Sequence, residues 1–133
     1  MDDASRDIDD VNELRRTLLA LLGLSLAGEA GAQDAAVAQP HTYRVAFENE
    51  RLRALEYRNR PGMGVCGNGM HSHPAHLTVG LFDGPGRVRL PGGTWQNFTA
   101  KKGDVFWSEA ETHEVENLSG RDSHAILIEL KKP

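Results

Sequence analysis

An all-β sandwich or barrel is the fold class that this sequence predicts, and two observations lead to it. Short β-type runs follow one another along residues 43–130, and no helical period appears in this part of the chain. Turn-forming residues, rich in Gly, Pro, Asn and Asp, separate the runs at residues 48–50, 61–62, 83–86, 91–93, 102–104 and 119–122. Evenly spaced short strands between such turns are typical of β-sandwiches and barrels.

These turns delimit the elements in order. We predict strands at residues 43–47, 52–58, 71–73, 76–82, 88–90, 94–99, 105–107, 113–118 and 123–130. At 133 residues the chain is long enough for one domain with its own core. We assign that domain to residues 43–133 and treat residues 33–42, which are polar, Ala-rich and include His41, as a linker.

Residues 1–32 resemble an export signal of the twin-arginine or general secretory type. Arg15 and Arg16 precede the apolar run at 17–27, and small residues at 30–32 offer a cleavage site. The run is shorter than the roughly 20 residues that span a bilayer. We therefore expect a periplasmic or secreted protein with no membrane segment in its mature form. The alternative is an uncleaved cytoplasmic chain whose leader is a helix packed on the body.

Charge is concentrated in that leader. Residues 1–32 carry seven acidic and three basic side chains, whereas residues 33–133 carry twelve of each. A neutral body without a basic patch argues against nucleic acid and against an anionic membrane surface as partners. We expect a small molecule as the partner instead.

Four histidines form the main candidate site. His71, His73 and His76 lie within six residues, and His113 follows a second glycine-led segment. Alternate residues of a strand share a face, so His71 and His73 can direct their rings at one point. Neutral imidazole is the commonest protein metal ligand. The pattern predicts one bound transition metal ion.

Cys66 is the single cysteine of the chain, which excludes an intrachain disulfide and a zinc site built from cysteines. It lies in the glycine-rich segment 62–69. Its role is that of a small loop residue or, alternatively, of a thiolate ligand or redox sensor.

The histidine pattern resembles the cupins, small jelly-roll (double-stranded β-helix) barrels that hold a metal in the barrel mouth. Their two motifs are G-x5-H-x-H-x(3,4)-E-x6-G and G-x5-P-x-G-x2-H-x3-N. The resemblance covers about residues 43–131 and implies a cupin barrel, often a homodimer, similar to small quercetin dioxygenase-like members. The matching residues are His71, His73 and Gly84 in the first motif and Gly103, His113 and Asn117 in the second.

The sequence departs from both motifs. The ligand glutamate of the family falls at Leu77 or Thr78, neither of which is a good metal ligand. The neighbouring His76 either replaces it as a fourth ligand, if the strand shifts by one residue, or faces away and caps the loop. In the second motif, Glu109 and Glu111 stand in place of the usual proline and glycine.

A site of three or four imidazoles suits Fe, Zn, Cu or Ni and is less suited to Mn. Three protein ligands leave open positions for catalysis, whereas four can close the site. The resemblance implies a metal-dependent dioxygenase, lyase or isomerase acting on a small oxygenated or carboxylate-bearing molecule. The alternative is a non-catalytic periplasmic module that binds metal or a small ligand. No catalytic base stands out from the sequence.

Further residues have expected supporting roles. Arg53 or Arg44 is a candidate for holding a substrate carboxylate, although exposed cross-strand pairing is the favoured role for both. His124 shares a strand face with Ile126 and Ile128, and is either turned into the barrel or a hydrogen-bonded core residue. The expected hydrogen-bond partners of the imidazoles are Asn117, Glu56 and Thr78. The expected pocket walls are Tyr57, Trp95, Phe98, Phe106 and Trp107.

Overall fold

A computed structural model describes residues 33–61 and 69–132. The predicted export signal and Cys66 lie outside these residues. The elements are α1 (Ala35–Ala38), β1 (Tyr43–Glu48), β2 (Leu52–Asn59), β3 (His71–His73), β4 (His76–Gly80), β5 (Gly84–Arg89), β6 (Gln96–Ala100), β7 (Val105–Ser108), β8 (Glu111–Asn117) and β9 (Ser123–Leu130). Among the described residues, no helix is long and apolar enough to span a bilayer.

Two antiparallel sheets make up the fold. The larger has the order β1-β2-β9-β4-β7 and the smaller β3-β8-β5-β6. After the β1–β2 hairpin, the chain crosses to the other sheet at every connection except the one between β5 and β6, as in a jelly roll. The chain passes from the smaller to the larger sheet at Pro74 and Ala75, between β3 and β4. The all-β prediction is confirmed.

One predicted turn is a strand. Residues 84–86 were expected to continue the turn after Asp83. Instead, β5 begins at Gly84, and both Gly84 and Gly86 pair with residues of β6. The reason is close contact with aromatic rings. A Cβ on Gly84 would lie 2.5 Å from the Phe82 ring, and one on Gly86 would lie 2.6 Å from the Phe98 ring. These glycines make room for aromatic side chains rather than for a turn.

Strand alternation assigns the inner and outer faces of the larger sheet. In β9, Leu127 and Glu129 are buried, and Leu127 belongs to the core cluster. Ile126 and Ile128 therefore lie on the outer face of this sheet. The alternative in which this face of β9 turns into the barrel does not hold for the two isoleucines, because Leu127 and Glu129, on the opposite face, are the buried residues.

The segment 33–42 packs on the barrel. Asp34 caps α1 by accepting a hydrogen bond from the Ala36 amide at 3.2 Å, and it forms an isolated bridge with Ser72 of β3. Ala35 is fully buried in the core cluster beside Tyr43. The stretch assigned as a linker thus places a charged residue, Asp34, next to the strand that carries His71 and His73.

Candidate metal centre

Strand pairing brings three of the four histidines together. In β3, His71 and His73 share one face, and β8 pairs with β3 so that His113 lies opposite His71. All three side chains are buried, and their nearest ring nitrogens lie within 4.8 Å of one another. His71 and His113 are 42 positions apart in the sequence, and the pairing of β3 with β8 places them side by side.

Hydrogen bonds fix which nitrogen of each β3 imidazole faces the cluster. His71 Nδ1 donates to the Gly69 carbonyl oxygen at 2.8 Å, and His73 Nδ1 donates to Glu129 Oε1 at 2.9 Å. Nε2 of both rings is buried and has no hydrogen-bond partner. Buried polar atoms are normally hydrogen-bonded. Two buried imidazole nitrogens with free lone pairs at one point therefore indicate a site for a bound cation. A metal ion has the right chemistry for these atoms.

The protonation states favour the same interpretation. Burial lowers the pKa of His71 to about 4 and holds the pKa of His73 well below its usual value. For His73, the neighbouring imidazoles act in the same direction as burial. Both rings are therefore neutral near pH 7, which is the form that binds metals.

Glu111 lies between the other two histidines. Its Oε1 is 3.3 Å from His113 Nδ1 and 3.5 Å from His76 Nε2. His76 is buried, and its Nδ1 donates to the Pro74 carbonyl oxygen at 2.8 Å. His76 points inward but lies outside the three-histidine group among the described residues. Its role as a fourth ligand remains a prediction.

A cavity of about 160 Å³ adjoins this cluster, and His76, Glu111 and His113 contribute to its wall. The rest of its lining is mainly apolar. Of the predicted wall residues, Tyr57, Phe98 and Phe106 line it. Trp95 and Trp107 do not belong to its lining. Trp107 is 41% exposed, and Trp95 instead lies beneath two arginine side chains of β5.

Comparisons with known proteins bear on the fold. No protein-family model matches this sequence, and no curated protein matches it. A solved cupin domain from Bordetella pertussis Tohama I is 24% identical, over 78% of this chain and 100% of that chain, with a TM-score of 0.60. The chain has the cupin fold. A cupin superfamily protein from Desulfitobacterium hafniense DCB-2 is 14% identical over 68% of this chain and 76% of that chain, with a TM-score of 0.49.

Within this cupin barrel, the position of the missing motif glutamate is now clear. Leu77 belongs to the outer face of β4, whereas Thr78 is buried and lines the cavity beside His76. A carboxylate at 78 would reach the interior, but threonine occupies that place. The four-stranded sheet therefore provides all three clustered imidazoles of the cupin site.

A chain of ion pairs supports His73 from the opposite sheet. Glu129 Oε2 accepts hydrogen bonds from Arg53 Nε at 2.8 Å and Nη2 at 2.6 Å. The same guanidinium donates to both carboxylate oxygens of Asp34, at 3.1 and 2.5 Å. Burial raises the pKa of Glu129, and the hydrogen bond and charge of Arg53 oppose that rise. These ion pairs hold the Glu129 carboxylate in the position from which it orients the His73 ring.

The sequence did not identify these supporting residues. The Asn117 amide donates instead to the Asn59 and Arg121 carbonyl oxygens, and Glu56 accepts from Arg44 and His124. The expectation that Asn117 and Glu56 orient the imidazoles is wrong, because each is engaged elsewhere. One signal pointed to Glu129: it is the single charged residue in the apolar run of β9, two positions after inward Leu127.

The candidate substrate-binding arginines are also engaged elsewhere. Arg53 is held between Asp34 and Glu129, and Arg44 donates to Glu56 at 2.7 Å near the surface. Both side chains therefore make ion pairs, which is the role that the sequence favoured for them. His124 is hydrogen-bonded, with its Nε2 3.1 Å from Glu56 Oε2.

Proposed function

We propose that this protein is a metal-dependent cupin enzyme acting on a small oxygenated molecule. The observation that carries the proposal is the pair of buried, unpartnered Nε2 atoms of His71 and His73, clustered with His113 beside a cavity. A site used only for packing would satisfy these nitrogens with protein donors. An adjoining cavity gives a ligand access to the same point.

The donor set fits a first-row transition metal. Three neutral imidazoles suit Fe, Zn, Cu or Ni, and Mn is the weaker candidate because the clustered group found among the described residues contains no carboxylate. Three protein ligands leave coordination positions open, in contrast to a closed structural site. When bound, such an ion would supply Lewis-acid or redox activation of a substrate oxygen.

The protein's own residues have separate tasks. Gly69 and Glu129 hold the His71 and His73 rings in the tautomer that presents Nε2. The apolar wall formed by Phe98 and Phe106 restricts water and selects a small ligand. Dioxygenase, lyase and isomerase reactions all fit this arrangement. A clamp for a substrate carboxylate finds no support from Arg44 or Arg53.

Metal analysis of the purified full chain tests the proposal. We expect close to one transition metal ion per chain, lost in His113→Ala and retained in the control His124→Ala. An empty wild-type protein, or a variant pair with the reverse behaviour, would contradict the assignment. If the metal binds and small oxygenated probes bind without turnover, the non-catalytic binding module replaces the enzyme.

We also propose export to the periplasm or beyond, on the strength of Arg15, Arg16 and the apolar run at 17–27. The proposal predicts that the mature protein begins at Gln33. Mass spectrometry of the native N-terminus measures this directly. Retention of Met1 in the purified native protein would contradict export by this leader.

A further inference from the structure

The strand that carries His71 and His73 lies at an edge of the four-stranded sheet. This strand, β3, is three residues long, and β8 pairs with one of its two sides. The other side of an edge strand presents backbone donors and acceptors that need partners. Residues 33–38, which we call the N-terminal strap, supply them: the Ser72 amide donates to the Gln33 carbonyl oxygen at 2.8 Å, and Asp34 forms a bridge with Ser72. The strap is therefore a backbone partner of the strand that presents two imidazoles.

An apolar contact anchors the strap in the core beside the same imidazoles. Ala35 is fully buried in the core cluster, which also contains Tyr43. The centroid of the Tyr43 ring lies 4.8 Å from that of the His71 ring and 5.1 Å from that of the His73 ring. The packing of the strap is therefore continuous with the packing of both rings.

The strap also reaches the metal centre through a line of ion pairs. Asp34 accepts hydrogen bonds from Nη1 and Nη2 of Arg53, at 3.1 and 2.5 Å. The same guanidinium donates to Glu129 Oε2, and Oε1 of Glu129 accepts from His73 Nδ1 at 2.9 Å. The side chains of Arg53 and Glu129 are 18% and 2% exposed, so solvent screens these pairs weakly. Asp34 and Glu129 thus hold the guanidinium from two sides.

We propose that the N-terminal strap is thermodynamically coupled to the metal centre, and that Asp34 is the positioning residue that transmits this coupling. The proposal rests on the metal binding proposed above. The docked strap fixes the Arg53 guanidinium, which fixes Glu129, and Glu129 holds the His73 ring with Nε2 directed at the cluster. Coupling between two sites is reciprocal. The docked strap therefore strengthens metal binding by the same factor by which metal binding stabilises the docked strap.

Variants of Asp34 in the full chain separate this role from helix capping. Asp34 is also the N-cap of α1 and accepts a hydrogen bond from the Ala36 amide. Serine is an equally good N-cap but is too short to pair with Arg53, so Asp34→Ser removes the ion pair and keeps the cap. Competition with a chelator measures Zn²⁺ affinity. We expect it to fall about 5-fold, less than the 10- to 100-fold typical of a residue that contacts a metal ligand directly.

The matched control is Asp83→Ser. Asp83 is exposed, and its carboxylate accepts a hydrogen bond from the Lys102 amide, outside the line of ion pairs. This variant should leave the Zn²⁺ affinity unchanged.

A double variant tests the route of the coupling. Glu129→Leu already breaks the link to His73, so adding Asp34→Ser to it should cause no further loss of Zn²⁺ affinity. A strap that only held the fold together would lower the affinity in both backgrounds. The absorption spectrum of the Co²⁺-loaded protein reports the ligand geometry. Asp34→Ser should change this spectrum in the wild-type background and leave it unchanged in the Glu129→Leu background.

Hydrogen exchange of the wild-type protein tests the reciprocal effect without any substitution. The Ala38 amide donates to the Asp34 carbonyl oxygen at 2.8 Å, so its exchange reports opening of the strap. We expect saturating Zn²⁺ to slow this exchange by the same factor of about 5 that Asp34→Ser costs in affinity. The reference is the Arg51 amide, which donates to the Asn49 side chain in the exposed β1–β2 turn. Its exchange rate should be the same with and without Zn²⁺.

The outcomes distinguish failure of the coupling from failure of the proposed function. If the wild-type chain binds Zn²⁺ and Asp34→Ser binds it equally tightly, the coupling is overturned and the metal site stands. An equal loss of affinity from Asp34→Ser in the wild-type and Glu129→Leu backgrounds also overturns the coupling. A wild-type chain that binds no metal overturns both proposals.

Discussion

The four-stranded sheet supplies the three clustered imidazoles, whereas the five-stranded sheet supplies the carboxylate that orients one of them. His71, His73 and His113 lie on β3 and β8, and Glu129 and Arg53 lie on β9 and β2. The outer faces of the two sheets also differ. Ion pairs cover the outer face of the smaller sheet, whereas several apolar side chains are exposed on the outer face of the larger sheet. The contrast teaches that both layers build the site: the smaller sheet presents the three imidazoles, and the larger sheet holds the His73 ring in one tautomer and direction.

The largest effect is expected from breaking the link between the layers. Glu129→Leu removes the acceptor of the His73 Nδ1 proton and one partner of Arg53, so the ring loses its fixed tautomer. Loss of such a partner weakens metal affinity by about 10- to 100-fold. Competition with a chelator measures this. Glu116→Leu, on the outer face of β8, is the control and should leave the metal affinity unchanged.

A smaller effect is expected on the outer face of the four-stranded sheet. Glu114 is buried and paired with Arg89, which is partly exposed to solvent. Glu114→Ala should lower the free energy of unfolding by about 1 kcal/mol, because the pair is only partly shielded from water. Denaturant titration measures this loss. A change in metal affinity would show that the outer ion pairs also support the metal site. It would contradict the assignment of that support to the five-stranded sheet.

The smallest effect is expected for the pH dependence of thermal stability that Glu56 contributes on the outer face of the five-stranded sheet. Hydrogen bonds from Arg44 and then His124 lower the pKa of Glu56 to about 2. A carboxylate with a depressed folded pKa stabilises the protein above its unfolded pKa and loses that contribution as pH falls toward the folded value. Glu56→Gln should therefore melt below wild type at pH 7, and the difference should narrow between pH 4.5 and 2. A gap that is constant with pH would contradict this account.

How far a site residue can be predicted from the sequence depends on how many positions separate it from its partners. His71 and His73 were predictable because strand alternation acts over two residues, and His113 because it precedes Asn117 with the H-x3-N spacing that ends the second motif. The hydrogen bonds to His73 and Arg53 were not predictable. They join Glu129 to residues 56 and 76 positions away, and Asp34 to a residue 19 positions away. Nothing local in a sequence specifies such pairs.

β5 shows the same limit within one element. Gly84, Pro85 and Gly86 have the composition of a turn, yet they form strand pairs with β6. Their glycines are required by the Phe82 and Phe98 rings, and Phe98 belongs to a different strand. Local propensity was outweighed by packing across the cavity.

The amino-acid sequence by itself determined the all-β class, the positions of most strands and the shared face of His71 and His73, because each depends on short-range periodicity, and its resemblance to the second motif indicated His113. The tertiary structure decided which face of β9 is inside, which groups hold the imidazoles and which sheet keeps an apolar exterior. Alternation along a strand defines two faces but does not say which one is buried. That choice is made by the packing of the two layers, which buries Glu129 beside His73 and leaves Ile128 on the outside.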